Sequence, residues 1–147
     1  MTVSFIFNVK PKPKQSTLFG KGHCRTDPKI EAFERTIKIL AKIQFKQQGF
    51  KKPMSGAVCI EKLKYTYTRP KNHYNSKGLL KPKAPKYKIT RPDLDNLTKP
   101  ILDALNKTVF NDDNQIFLIE NISKVFGTEN KIELTLTEIS EMTGEPI

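Results

Sequence analysis

The sequence predicts an α+β fold: a single two-layer domain with a mixed β-sheet and two main helices, in the order β-α-β-(basic loop)-α-β-β. Three observations predict it. Runs of β-branched and aromatic residues stand near both ends and in the middle of the chain. Two apolar stripes recur at threes and fours between them. The 147 residues, 37% of them hydrophobic, suffice to bury one core without disulfide or metal staples.

Val3–Val9 has strand composition and runs into Lys10–Lys14 (KPKPK), where alternating prolines forbid a helix. Gln15 to Lys29, with Gly20, Gly22 and Pro28, reads as a loop. From Lys29, Ile30, Phe33, Ile37, Leu40, Ala41 and Phe45 form one face of a helix. Asp27 is its predicted N-cap, Pro28 its first residue and Gly49 its stop. Ser55–Thr68 reads as a long strand whose apolar positions change phase around Glu61–Leu63, the mark of a bulge or of a switch of the buried face. Residues 69–90 follow as a basic loop, expected to be mobile without a ligand. After the second helix, Gln115–Phe126 and Lys131–Ile139 read as strands joined by GTEN in a hairpin, with 140–147 a frayed tail.

Charge is divided along the chain. Residues 1–91 hold 22 Lys and Arg against 4 acidic residues, whereas residues 92–147 hold 4 Lys against 11 acidic residues. A cationic surface set beside an acidic cluster suits an enzyme acting on a polyanion, lysines holding phosphates and carboxylates holding a metal. The predicted phosphate contacts are Lys10, Lys12, Lys14, Lys71, Lys77, Lys81, Lys83, Lys86, Lys88 and Arg91, with Tyr74 and Tyr87 interleaved in the basic loop. No apolar run approaches the ~18 residues of a membrane span. Two cysteines, Cys24 and Cys59, lack metal-ligand spacing and fit a reduced, intracellular setting.

The organising stretch is Arg91–Asp113, RPDLDNLTKPILDALNKTVFNDD. In an extended segment Asp93 and Asp95 point to the same side, roughly 7 Å apart at Cα, and can converge on one cation. Leu97, Ile101 and Leu105, flanked by Leu94 and Leu102, form the buried stripe of the following helix. Because proline is comfortable only in a first turn, Pro100 predicts winding from Leu97 or Thr98, or a bend. Lys99 then lies about one turn inside. The bland alternative makes Asp93 and Asp95 helix caps and pairs Lys99 with Asp95 or Asp103. The second acidic pair, Asp112 and Asp113, favours the metal reading, with one of the two expected to ligate. Hard oxygen donors without His or Cys point to Mg²⁺, with Mn²⁺ as a substitute.

RPDLDNLTKPILDALN followed by NDD resembles the signature of the RusA-type Holliday-junction resolvases, small magnesium-dependent endonucleases common in prophages. KPKPKQ and GHCRTDPKIEAFE resemble that family's basic N-terminal segment and the start of its first helix, and the likeness spans about Phe5 to Ile139. The resemblance implies a cytoplasmic homodimer that binds a four-way DNA junction by shape and nicks two strands symmetrically, with no small-molecule cofactor. It implies Asp93, Asp95 and Asp113 as metal ligands, Asp112 as a neighbouring acid, and Lys99 as the catalytic lysine. One departure is Pro100, directly after that lysine. A nuclease for other branched DNA or structured RNA, or a non-catalytic nucleic-acid-binding module, would share most of these features.

Overall fold

The computed structural model describes residues 1–14, 18–20 and 23–147, with only the backbone of 18–20 and 23–25. Of the predicted Gln15–Lys29 loop, residues 15–17, 21 and 22 lie outside the described residues. The rest corrects the expectation in part: β2 (Leu18–Gly20) and β3 (His23–Arg25) pair as a small antiparallel ladder.

β1 (Thr2–Phe7) alternates strictly, with Val3, Phe5 and Phe7 buried and Thr2, Ser4 and Ile6 outward. α1 (Pro28–Gln47) begins as its sequence predicts, the Asp27 side chain accepting from the Lys29 N–H with proline in the first turn. It ends before Gly49, whose φ of +90° favours glycine. Two glutamines, Gln44 of α1 and its C-cap Gln48, occupy the free edge of β1. Gln44 bonds both backbone groups of Ile6, and Gln48 bonds both of Ser4. That edge is thereby closed to another strand.

β4 (Ala57–Thr68) is the hub of a five-stranded mixed sheet. On one side it pairs antiparallel with β7 (Lys131–Ile139), which pairs antiparallel with β1. On the other side lie β5 (Ile116–Ile119) and β6 (Ile122–Gly127), both parallel to β4. The predicted phase change is a bulge: the register shifts between Ile60 and Lys62, and burial passes from Val58 and Ile60 to Leu63, Tyr65 and Tyr67.

Two expectations for the C-terminal strands are corrected. Gln115–Phe126 is not one strand, because the β4 bulge propagates into it. At the break, the Glu120 N–H donates to Ile60 O and the Leu63 N–H to Asn121 O. Nor do β6 and β7 form a hairpin, since β4 lies between them and each gains a full ladder on it. GTEN spans that gap, tied by the Arg69 N–H to Gly127 O and the Thr68 N–H to the Asn130 side chain. A Cβ on Gly127 would stand 2.6 Å from the Thr66 methyl, so any larger residue would displace the Thr66 side chain.

α1 and α2 (Leu94–Leu105) pack against each other and cover one face of the sheet. The core joins Ile37, Ala41 and Phe45 of α1 to Leu97, Ile101 and Leu105 of α2 over Phe5, Ile60, Leu63, Tyr65 and Leu134. On the uncovered face hydroxyls pair instead, Thr2 with Thr137 and Ser4 with Thr135.

Candidate metal and DNA site

α2 begins earlier than Pro100 suggested. Leu94 is already helical, Asp93 is the extended N-cap and Pro100 lies inside the helix. This corrects the extended reading of the aspartate pair, because Asp95 sits in the first turn while only Asp93 precedes it. The helix tolerates Pro100 because the carbonyl it leaves without a donor finds another. Asn96 O, four residues back, accepts the Lys14 N–H at 2.8 Å. The KPKPK segment is thus tied to the helix that carries the acids.

The bland reading of the aspartates fails at Asp93, whose side chain makes no capping hydrogen bond. Asp93, Asp95 and Lys99 are exposed, and among the described residues none of them forms an ion pair. Lys99 therefore pairs with neither Asp95 nor Asp103. Asp95, Lys99 and Asp103 follow at i, i+4 and i+8 and share a face of α2.

The second acidic pair divides its labour. Asp112 caps the short 3₁₀ turn Asp113–Gln115, accepting from the Asn114 N–H while the Gln115 side chain accepts from the Asp112 N–H. Gln115 also donates to Met54 O and Gly56 O, pinning the turn beside the start of β4. The Asn114 N–H and a hydrogen bond with Asp113 hold the Asp112 carboxyl below the usual carboxylate range. The same bond with Asp112, then burial and the charges of Asp112 and Asp103, push Asp113 up. Asp113 is thus the carboxylate crowded by negative charge, the condition a cation relieves.

Asp103, which the sequence offered only as a lysine partner, stands near enough to act on Asp113. It is ion-paired with Lys14, whose ammonium lies 2.9 Å from Asp103 and 3.0 Å from Glu34 of α1. The expected phosphate contact Lys14 is therefore already engaged, bracing α1 against α2. Among the described residues no three His, Cys, Asp or Glu side chains form a closed group for a metal ion. The donors fit a hard cation in kind, and among the described residues Asp93, Asp95 and Asp113 stand as separate carboxylates rather than a closed group of three.

The basic residues do gather. A cleft of about 610 Å³ is lined by Lys10, Lys88, Arg91, Asp93 and Asn96, so three predicted phosphate contacts share a wall with one predicted ligand. Burial, and then the charges of Lys124 and Lys10, lower the Lys88 pKa. Lys124 escaped the sequence reading, since it lies in a strand with no local signal. Its ammonium donates to Thr90 O at 2.8 Å and Pro92 O at 2.7 Å, holding the approach to Asp93. Residues 86–88 run beside β6, with the Phe126 N–H donating to Lys86 O and the Lys88 N–H to Lys124 O. Lys71, Lys77, Lys81, Lys83 and Lys86 remain exposed on the outer part of the segment, and Lys12 lines a separate groove beside α1.

The family "Endodeoxyribonuclease RusA" matches residues 7–137, nearly the whole chain. This chain belongs to the RusA endodeoxyribonuclease family. It is 28% identical over 132 residues to the uncharacterized protein YqaN of Bacillus subtilis, covering 88% of each chain. It is also 43% identical over 54 residues to a protein of Lactococcus phage r1t named as the crossover junction endodeoxyribonuclease rusA, covering 36% of this chain and 40% of that one. Among the described residues of this RusA-family chain, no helix is long and apolar enough to cross a membrane.

Proposed function

We propose that this RusA-family protein is a Mg²⁺-dependent endodeoxyribonuclease that resolves four-way DNA junctions by paired nicks, acting as a homodimer in the cytoplasm. The observation that carries the reading is the set Asp93, Asp95 and Lys99, none of them ion-paired among the described residues, beside a cationic cleft that Asp93 itself lines. Asp93, Asp95 and Asp113 would hold the ion, with Mn²⁺ able to replace it. Bound there, such an ion supplies a polarised phosphate and a water of lowered pKa.

The remaining roles belong to the chain. Lys10, Lys88 and Arg91 hold the backbone on the cleft wall, and Lys124 fixes the turn before Asp93 through the Thr90 and Pro92 carbonyls. Lys99 faces the growing charge on the phosphoryl and leaving oxygens and stabilises it or donates a proton. Asp112 and Gln115 hold Asp113 in place through the 3₁₀ turn.

Paired nicks need two identical sites related by a two-fold axis. The β1 edge is closed by Gln44 and Gln48, and β6 is flanked by residues 86–88. Among the described residues no segment pairs with the outer edge of β5, where Phe117, Leu118 and Ile119 are 57%, 43% and 37% exposed. We assign the dimer contact to that edge. The deciding experiment offers junction, flap, duplex and RNA substrates in Mg²⁺ and again in chelator. Selective, symmetric and chelator-sensitive cutting of the junction is expected. Equal cutting of all substrates would remove the junction assignment, and cutting unaffected by chelator would remove the metal.

A further inference from the structure

We propose that the cleft leading away from Asp93 takes up one unstacked nucleotide, its base among Tyr87, His73 and Phe126 and its phosphate on Lys10 and Lys88. The proposal deepens the nuclease reading and rests on it only in placing that nucleotide beside the cutting site. Two clefts adjoin here. The one containing Asp93 shares Lys10, Tyr67 and Lys88 with a second of about 820 Å³, whose walls include Tyr87, Phe126, His73 and Asn72. That volume lies within the range of roughly 300–1,000 Å³ typical of sites for a single small ligand.

The second cleft is aromatic and cationic together. His73 meets Phe126 edge-on at 4.8 Å, Arg69 and Lys88 lie over the Phe126 ring, and Lys86 lies over Tyr87. Among the described residues no acidic side chain except Asp93 lines either cleft. Rings for a base with ammonium groups for its phosphate are what a single-stranded nucleotide needs. A base stacked in a duplex cannot enter such a pocket, whereas one at a branch point is freed at lower cost.

An independent observation comes from Tyr67, which lines both clefts and is 93% buried by its 7% exposure. Its hydroxyl has no hydrogen-bond partner among the described residues, and burial pushes its pKa up to about 12. An unpartnered buried phenol is costly, and its ring forms part of the wall that the two clefts share. Asn72 and Asn130 bring amide groups to the same walls. These groups can discriminate between bases by their edges, so any sequence preference at the cut would arise here.

The test needs no cleavage. Four-way junctions carrying one abasic site, moved through each nucleotide flanking the branch point, are bound in chelator by the wild type, Tyr87→Ala and Tyr87→Phe. Tyr87 is 57% exposed, so its replacement leaves the core alone. Base removal at one position is expected to weaken wild-type binding by roughly 5- to 150-fold, the worth of one base–aromatic stack. Tyr87→Phe keeps that penalty, and in Tyr87→Ala it falls to less than twofold. A wild type indifferent to every abasic position, or a Tyr87→Ala with the undiminished penalty, would overturn the subsite. Adding Mg²⁺ afterwards separates the two readings. A base-dependent complex that never cuts retains the subsite and removes the nuclease, whereas cutting without base dependence does the reverse.

Discussion

Asp93 occupies a capping position without capping, and so its carboxylate is available for other work. Asp93→Asn or Asp95→Asn should abolish cleavage while junction binding stays the same or tightens, because a negative charge leaves the cleft. Loss of both in a folded variant, measured by gel shift and circular dichroism, would argue against ligation. Lys99→Ala should lower turnover by about 10²–10⁴ with little change in affinity, as expected for a group that acts in the transition state. Lys14 belongs to the scaffold. Burial pulls its pKa down, but hydrogen bonds and charges from Asp103 and Glu34 outweigh this and raise it above the ordinary 10.5. A raised lysine contributes its full stability below 10.5 and loses it as pH climbs through the folded value. Lys14→Met should therefore cost roughly 1.5–3 kcal/mol at neutral pH. Denaturant titrations should show that gap closing only above about pH 10.5.

At the scale of elements, the helix α2 and the basic segment are coupled through backbone groups. Pro100 frees the Asn96 carbonyl, and the Lys14 N–H takes it, so a proline inside a helix positions a segment far away in sequence. Within residues 69–90 the cations have two settings. Lys88 is drawn in over the Tyr67 and Phe126 rings, and Lys71, Lys77, Lys81, Lys83 and Lys86 are left in solvent. Reversing the charge of Lys81, Lys83 and Lys86 together should weaken binding to every DNA form. It should also reduce the slope of log K against log salt by nearly one for each phosphate that the variant no longer neutralises. An unchanged slope would make these lysines merely solubilising.

For the whole molecule, the proposed metal site ties stability to metal. A cation that binds the folded chain alone, at a hundred times its Kd, adds about 2.7 kcal/mol, so Mg²⁺ should raise the melting temperature of the wild type. Asp93→Asn should abolish that rise. The apolar edge of β5 makes a second whole-molecule prediction. Leu118→Lys should yield a monomer in analytical ultracentrifugation, because a charge on an edge strand blocks edge-to-edge pairing. Cleavage should then fall from paired to single nicks. A dimer that survives the substitution would move the interface elsewhere.

The sequence by itself determined the features that depend on neighbours along the chain. The Asp27–Pro28 start of α1, the stop at Gly49, the stripe Leu97–Ile101–Leu105 and the phase change in β4 all follow from local spacing and turn chemistry. The aspartates and Lys99 were legible as a motif for the same reason. Only the tertiary structure decided what depends on distant partners. It split β5 from β6, because their break answers a bulge in β4, and it put β4 between β6 and β7, where each pairs along its length. It let Pro100 lie within α2, because a donor far upstream took over the role of its missing N–H. It gave Lys14, expected at a phosphate, two carboxylate partners, and it brought Lys124, silent in the sequence, to the approach to Asp93. Hydrogen bonds and ion pairs between segments far apart in sequence leave no periodic trace, and so folding alone assigns them.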